Sequence, residues 1–263
     1  MTIRPLKKYG QNFLRNSVIA DKIVRALDCR PGDHVLEIGA GEGVLTERLA
    51  ETAGTVISAV EIDPRLAGQL ESRLAGRVAV IRADFLDLDL RPAADNVPLK
   101  IIGNIPYYLT SDIIFKLLGA AAAIERAVLM VQKEVAGRLS AKPGGKDYSQ
   151  LTVLVQTRAA CRVLFEVGRE NFYPVPGVDS AVVLFEFHRR TVSRIADQAL
   201  YGEIVRRSFA MRRKMLRNSL REILHRHGLS AVQAVSLERR PEELSVDQFV
   251  ALANEIAGRS NKK

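Results

Sequence analysis

The sequence predicts an α/β fold: a doubly wound, mostly parallel sheet with an antiparallel hairpin, followed by a small all-helical domain. Three observations predict it. Short apolar runs alternate with amphipathic stretches from residue 34 to about 139, the pattern of parallel strands joined by right-handed crossovers. Gly39, Glu61, Asp84 and Asn104 each close one of those runs, 20 to 23 residues apart, so all four fall on the carboxyl edge of the sheet, where such folds bind ligands. Beyond residue 190 the apolar period is helical throughout.

The N-terminal arm carries Arg4, Lys7, Lys8 and Arg15 before any acid, and reads either as a flap over a ligand or as a frayed end. Residues 17–28 form a helix with Ser17 as N-cap and Ile19, Ile23 and Leu27 on one side. His34–Ile38 is the first strand; it empties into Gly39-Ala40-Gly41-Glu42-Gly43 and a helix from Val44 to about Ala53. Thr55–Val60 ends in Glu61-Ile62-Asp63-Pro64 and a helix to about Leu74. Arg77–Ile81 runs to Asp84-Phe85, Leu99–Ile102 to Gly103-Asn104-Ile105-Pro106-Tyr107, and Ala127–Gln132 is a fifth strand. Helices over 133–139 and 149–158 precede an antiparallel pair, Arg162–Val167 and Ala181–Phe187, joined by a stiff loop with Pro174 and Pro176 that presents Phe172. Helices over 197–211, 213–226 and 245–258 complete the chain. The expected division is 1–189 and 190–263.

Composition narrows the function. Of the chain's residues, 47% are hydrophobic and 26% charged, which is globular rather than disordered. No apolar run approaches the ~20 residues of a membrane span, and no apolar signal core follows Met1. Two cysteines without a CxxC fit a reducing cytoplasm. Of the four histidines only His225 and His227 are close, and one H-x-H with no nearby Cys predicts no metal. The net charge of +9 is localised: Arg189 to Arg240 holds 13 Lys and Arg against 4 Asp and Glu, an excess equal to the whole. Arg206, Arg207, Arg212, Arg213, Lys214, Arg217 and Arg221 cluster there. Such segregation points to a polyanion, usually nucleic acid.

The strand-end residues specify a ligand. Gly-x-Gly-x-Gly differs from the Gly-x-Gly-x-x-Gly of dinucleotide binders. A carboxylate at Glu61 suits the two hydroxyls of a ribose, and Asp84 suits the amino group of an adenine walled by Ile62 and Phe85. An adenosine carrying a zwitterion, S-adenosylmethionine, fits this set. Asn104 on a backbone stiffened by Pro106, with the flat face of Tyr107, suits a base bearing an exocyclic amine, although an Asn there also satisfies its own backbone. Phe172 is either a second face for that base or a core anchor for its loop.

In this order these strings resemble the KsgA-type (RsmA) family of small-subunit ribosomal RNA adenine dimethyltransferases. The resemblance rests on Gln11-Asn12-Phe13-Leu14, Glu37-Ile38-Gly39-Ala40-Gly41-Glu42-Gly43, Glu61-Ile62-Asp63, Ala83-Asp84 and Asn104-Ile105-Pro106-Tyr107. It continues through Phe172-x-Pro-x-Pro-x-Val178-Asp179-Ser180, Arg212-Arg213-Lys214-Met215-Leu216-Arg217-Asn218-Ser219 and Arg240-Pro241-Glu242-Glu243-Leu244-Ser245. It implies a Rossmann-like class I methyltransferase domain using S-adenosylmethionine. Asn12 and Leu14 would close over the cofactor, Gly39 and Gly41 hold its methionine end, Glu61 its ribose and Asp84 its adenine, with Asn104 beside the methyl group. The implied substrate is two adjacent adenosines in a hairpin loop near the 3′ end of small-subunit rRNA, in a pre-30S particle, each methylated twice by a cytoplasmic, monomeric enzyme. Tyr107 and Phe172 would clamp the base. A large-subunit rRNA methyltransferase of the macrolide-resistance type shares the catalytic strings; a non-catalytic RNA-binding factor would show decay at Glu61, Asp84 or Asn104, which all stand.

Overall fold

The computed structural model describes residues 4–90, 97–188 and 192–260. The expected domain boundary at 189/190 lies outside the described residues. The chain forms two compact units, one of residues 1–136 and 161–187, the other of residues 137–160 and 188–263. Residues 137–160, expected in the first domain, are thus grouped with the helices.

The first unit is built on a seven-stranded sheet. Its strands are β2 (His34–Ile38), β3 (Val56–Glu61), β4 (Ala79–Arg82), β5 (Leu99–Asn104), β6 (Ile124–Gln132), β7 (Ala159–Val167) and β9 (Ser180–Phe187), in the order β4-β3-β2-β5-β6-β9-β7. β4, β3, β2, β5 and β6 pair in parallel, and β9 runs antiparallel to β6. The order reverses direction between β2 and β5, and such a switch opens a crevice at the strands' carboxyl ends. Two further short strands, β1 (Phe13–Leu14) and β8 (Phe172–Tyr173), pair antiparallel with each other. Burial on both faces explains why the central strands read as unbroken apolar runs: Ile101, Ile102 and Ala127–Val131 are fully enclosed.

Helices α1 (Ser17–Ala26), α2 (Val44–Leu49), α3 (Pro64–Arg73) and α4 (Thr110–Gly119) alternate with these strands along the chain. The N-cap of α1 is Asn16 and not Ser17: the Asn16 carboxamide oxygen accepts from the backbone N–H of Val18 and Ile19 while Ser17 is already helical. α3 begins at Pro64 behind an Asp63 cap. Ala20, Ile23 and Leu27 of the first helix segment pack with Val35, Ile57, Ile102 and Val128 from the sheet.

In the second unit, α6 (Gln150–Gln156), α7 (Gln198–Ala210), α8 (Leu216–Ser219), α9 (Arg221–Arg226) and α10 (Val246–Ser260) enclose Tyr148, Tyr201, Ile204, Leu216 and Phe249; α5 (Lys133–Leu139) precedes them in the chain. The single helix expected over 213–226 is instead split at Leu220. The N–H groups of Leu216 and Arg217 donate to Arg239 and Leu237 carbonyls, which satisfies the start of α8 from outside the helix.

Candidate active site

The carboxyl edge of β2, β3 and β5 forms an open cleft of about 730 Å³, continued by a recess of about 430 Å³ beside the turn after β4. Tyr9, Gly39, Ile62 and Pro106 line both, so the two are one site. Asn12, Leu14, Gly41, Glu61, Asn104 and Tyr107 face the larger part; Asp84 and Phe85 face the smaller. The four strand ends read from the sequence as one composite site are brought together.

Gly39, Gly41 and Gly43 all have positive φ, which lets the loop after β2 turn back on itself. A side chain at Gly39 would project into the open cleft, with no atom within 4 Å. Glu61 anchors this loop: its buried carboxylate accepts from the Gly41 N–H at 2.7 Å and from the Asp63 N–H at 2.8 Å. Burial raises the Glu61 pKa, opposed by those two backbone bonds. Asp84 caps the 3₁₀ turn Phe85–Asp87 by accepting from the Leu86 N–H at 2.8 Å.

Asn104 is the last residue of β5. Its Nδ2 donates to the Asn12 carbonyl at 2.8 Å. A carbonyl only accepts, so the amide nitrogen is fixed on that side and Oδ1 is left as the acceptor end. Tyr107 opens the 3₁₀ turn that leads into α4, and its hydroxyl lies 2.6 Å from the Ser180 Oγ of β9. Burial pushes the Tyr107 phenol up, keeping it neutral.

Tyr9 through Leu14 of the N-terminal arm all line the cleft and so are not a frayed end. Gln11 joins the arm to the cap of α3, accepting from the Leu6 N–H at 2.7 Å and donating to Asp63 Oδ2 at 3.1 Å. The Arg65 guanidinium beside Asp63 holds that carboxyl well below the usual range, at about 2. Gly10 has φ +60° and no room for a side chain, since a Cβ there would sit 2.8 Å from the Tyr108 ring.

Phe172 is where expectation and structure part. It is 2% exposed, pairs with Leu14 and packs with Val182 in the core, so its ring is not presented by the loop. Successive strand residues point to opposite sides. Turning Phe172 inward therefore turns Tyr173 out, and Tyr173 is 52% exposed.

The sequence matches the family model described as "Ribosomal RNA adenine dimethylase" over residues 4–258. The chain belongs to the ribosomal RNA adenine dimethylase family. It is 41% identical over 250 residues to "Ribosomal RNA small subunit methyltransferase A" of Chlorobium phaeobacteroides (strain DSM 266 / SMG 266 / 2430), covering 95% of this chain and 90% of that protein. A crystal structure of a dimethyladenosine transferase from Plasmodium falciparum superposes with a TM-score of 0.79 at 25% identity, covering 94% of this chain and 98% of that one. The 23S rRNA methyltransferase ErmE follows with a TM-score of 0.67 at 29% identity, covering 94% and 100%.

One cleft residue of this dimethylase escaped the sequence reading. Glu37, inside the apolar strand His-Val-Leu-Glu-Ile, lines the cleft while 2% exposed, and its Oε2 has no hydrogen-bond partner among the described residues. Burial pushes its pKa up to about 8. The signal was there: a lone carboxylate in a run buried on both faces needs a partner.

The seven basic residues expected to bind RNA divide in two. Arg207 pairs with Glu222 and Arg217 with Glu238, both at 2.7 Å, and Arg212 donates to the Lys146 carbonyl at 2.6 Å. Arg206, Arg213, Lys214 and Arg221 are exposed and make no ion pair with the described residues. Among the described residues no three His, Cys, Asp or Glu side chains group as a metal site.

Proposed function

We propose that this dimethylase transfers methyl groups from S-adenosylmethionine to the exocyclic amines of two adjacent adenosines near the 3′ end of small-subunit rRNA, two on each, within a pre-30S particle and as a cytoplasmic monomer. The observation that carries the reading is the Asn104 amide, locked by Asn12 with its oxygen left as an acceptor.

The residues present fit the cofactor. The open space over Gly39 takes its methionine end, and the unpartnered Glu37 Oε2 is an acceptor for its ammonium. The remaining lone pairs of Glu61 take the ribose hydroxyls, and Asp84 takes the adenine amine between Ile62 and Phe85. S-adenosylmethionine, when bound, supplies an electrophilic methyl group.

An adenine amine is a weak nucleophile because its lone pair is delocalised into the ring. Asn104 Oδ1 and one backbone carbonyl accept its two N–H groups and turn that lone pair out of the ring. Of the two candidate carbonyls, Ile105 and Pro106, the Pro106 oxygen already accepts from the Leu109 N–H and the Thr110 hydroxyl, which favours Ile105. Tyr107 offers one face to a base taken out of its stack. Alignment by these fixed groups supplies the proximity contribution, and the methylated amine loses its proton to water.

The small subunit is favoured over the large because the curated relative at 41% identity carries that name, against 29% for the large-subunit enzyme. The test is transfer of labelled methyl to unmethylated small and large subunits in parallel, with the product mapped. Label in two adjacent small-subunit adenosines is expected; label confined to the large subunit overturns the reading.

A further inference from the structure

Tyr173 is an exposed aromatic ring that the mechanism above does not use. Its place is set by the β1–β8 pair, in which Phe13 stands opposite Tyr173. Directly opposed residues of an antiparallel pair project from the same face, and Phe13 lines the cleft. The Tyr173 ring does not itself line the cleft; it adjoins it through Phe13, its opposite in the pair, and through Arg15, which contacts Tyr173 and the cleft residues Phe13 and Glu42.

Arg15 braces this pair. Its guanidinium lies 5.5 Å from the Tyr173 ring centre and 5.9 Å from that of Phe13. Glu42, another cleft residue, holds the same guanidinium at 2.7 and 3.2 Å, and the Arg15 backbone N–H donates to the Asn171 carbonyl at 2.8 Å. One side of the tyrosine is thus backed by a fixed cation, and the ring remains 52% exposed. A rigid aromatic with a guanidinium behind it is a stacking surface for any base, because every base has a π-face.

We infer that Tyr173, braced by Arg15, stacks the unpaired base that flanks the adenosine held in the cleft. This rests on the RNA reading above and deepens it. Extruding one base removes a stacking partner from its neighbour, and Tyr173 replaces that partner beside the cleft. With two adjacent target adenosines, the platform holds one while the other reacts.

The experiment compares wild type, Tyr173→Ala and Tyr173→Phe in methyl transfer to unmethylated small subunits. A parallel RNA hairpin carries 2-aminopurine at the position 5′ or 3′ of the target adenosine. Tyr173→Ala is expected to raise KM for the small subunit about tenfold, inside the range found for loss of one base–aromatic stack. Cofactor affinity and melting temperature stay put, and Tyr173→Phe behaves as wild type. Binding of wild type and Tyr173→Phe quenches 2-aminopurine at one flanking position, and Tyr173→Ala does not. The inference is overturned if Tyr173→Ala keeps KM within twofold of wild type, if neither flanking probe is quenched, or if Tyr173→Phe fails alongside Tyr173→Ala. Absence of transfer by wild type itself would instead overturn the functional reading, and the inference with it.

Discussion

The Asn104 side chain donates to the Asn12 carbonyl across 92 residues of sequence, at 2.8 Å, joining the end of β5 to the N-terminal arm where both line the cleft. One amide thereby has two ends with different uses: its nitrogen holds the arm, and its oxygen is left as an acceptor on a residue that lines the cleft. The two are separable by substitution. Asn104→Ala removes the acceptor and is expected to lower kcat by at least about 10²-fold, the scale set by losing one preorganised polar group in an active site. Cofactor affinity should fall by no more than about tenfold, the worth of one hydrogen bond. Asn104→Asp keeps an acceptor yet offers the Asn12 carbonyl no donor, so its cofactor affinity should fall further than that of Asn104→Ala. Isothermal titration alongside single-turnover transfer reads both; full activity in Asn104→Ala sinks the assignment.

Glu37 makes stability depend on pH in an unusual direction. Its folded pKa of about 8 lies above the ordinary glutamate value of 4.5, because burial penalises the charged form. Between those values the folded chain keeps a proton that the unfolded chain releases, so stability contributed at low pH is lost as pH rises through the window. The slope is at most about 1.4 kcal/mol per pH unit. Glu37→Gln should match wild type near pH 4, melt higher at pH 8 without cofactor, and bind S-adenosylmethionine more weakly at both. Melting scans across the range check it, and an unchanged difference between pH 4 and pH 8 excludes it.

How much of this was legible in the sequence depends on whether a role lies in the chain's own order. Strand ends are local: Gly39, Glu61, Asp84 and Asn104 each follow an apolar run, and parallel topology alone puts them on one edge. Pairings between distant segments leave no such mark. Phe172 and Tyr173 are adjacent aromatics on one stiff loop, and only the register of Leu14 with Phe172 decides which ring is buried. The Asn16 cap was missed because Asn and Ser are equally good caps side by side. The ion pairs that occupy Arg207 and Arg217 come from Glu222 and Glu238, whose reach a charge count ignores.

Tyr107 and Ser180 form a second long-range pair, with 2.6 Å between hydroxyl oxygens and Ser180 fully buried. The bond fixes the tilt of a ring that lines the cleft, the ring proposed above to face the extruded base. Ser180→Ala and Tyr107→Phe are each expected to lower kcat roughly three- to tenfold, about one neutral hydrogen bond, with the cofactor dissociation constant unmoved. Because both remove the same bond, the double variant should be no slower than the slower single one. Multiplying losses in that cycle would show that Ser180 does not act through Tyr107.

The basic segment makes the last prediction, because its charges are not equivalent. Arg213 and Lys214 are exposed without an ion-pair partner among the described residues, whereas Arg207 and Arg217 are already neutralised by glutamates. A cation that meets a phosphate releases a counterion, and an internally paired one must first give up its carboxylate. Arg213→Gln with Lys214→Gln should therefore weaken RNA binding and flatten the dependence of log affinity on log salt by roughly 0.7–0.9 for each phosphate no longer neutralised. Arg207→Gln with Arg217→Gln should change that slope by less than half as much. Salt titrations of binding to unmethylated small subunits measure all four slopes of interest, wild type and both doubles together with their combination. Equal slopes for the two doubles would mean that the glutamate pairs open on binding, and that the whole cluster meets the RNA.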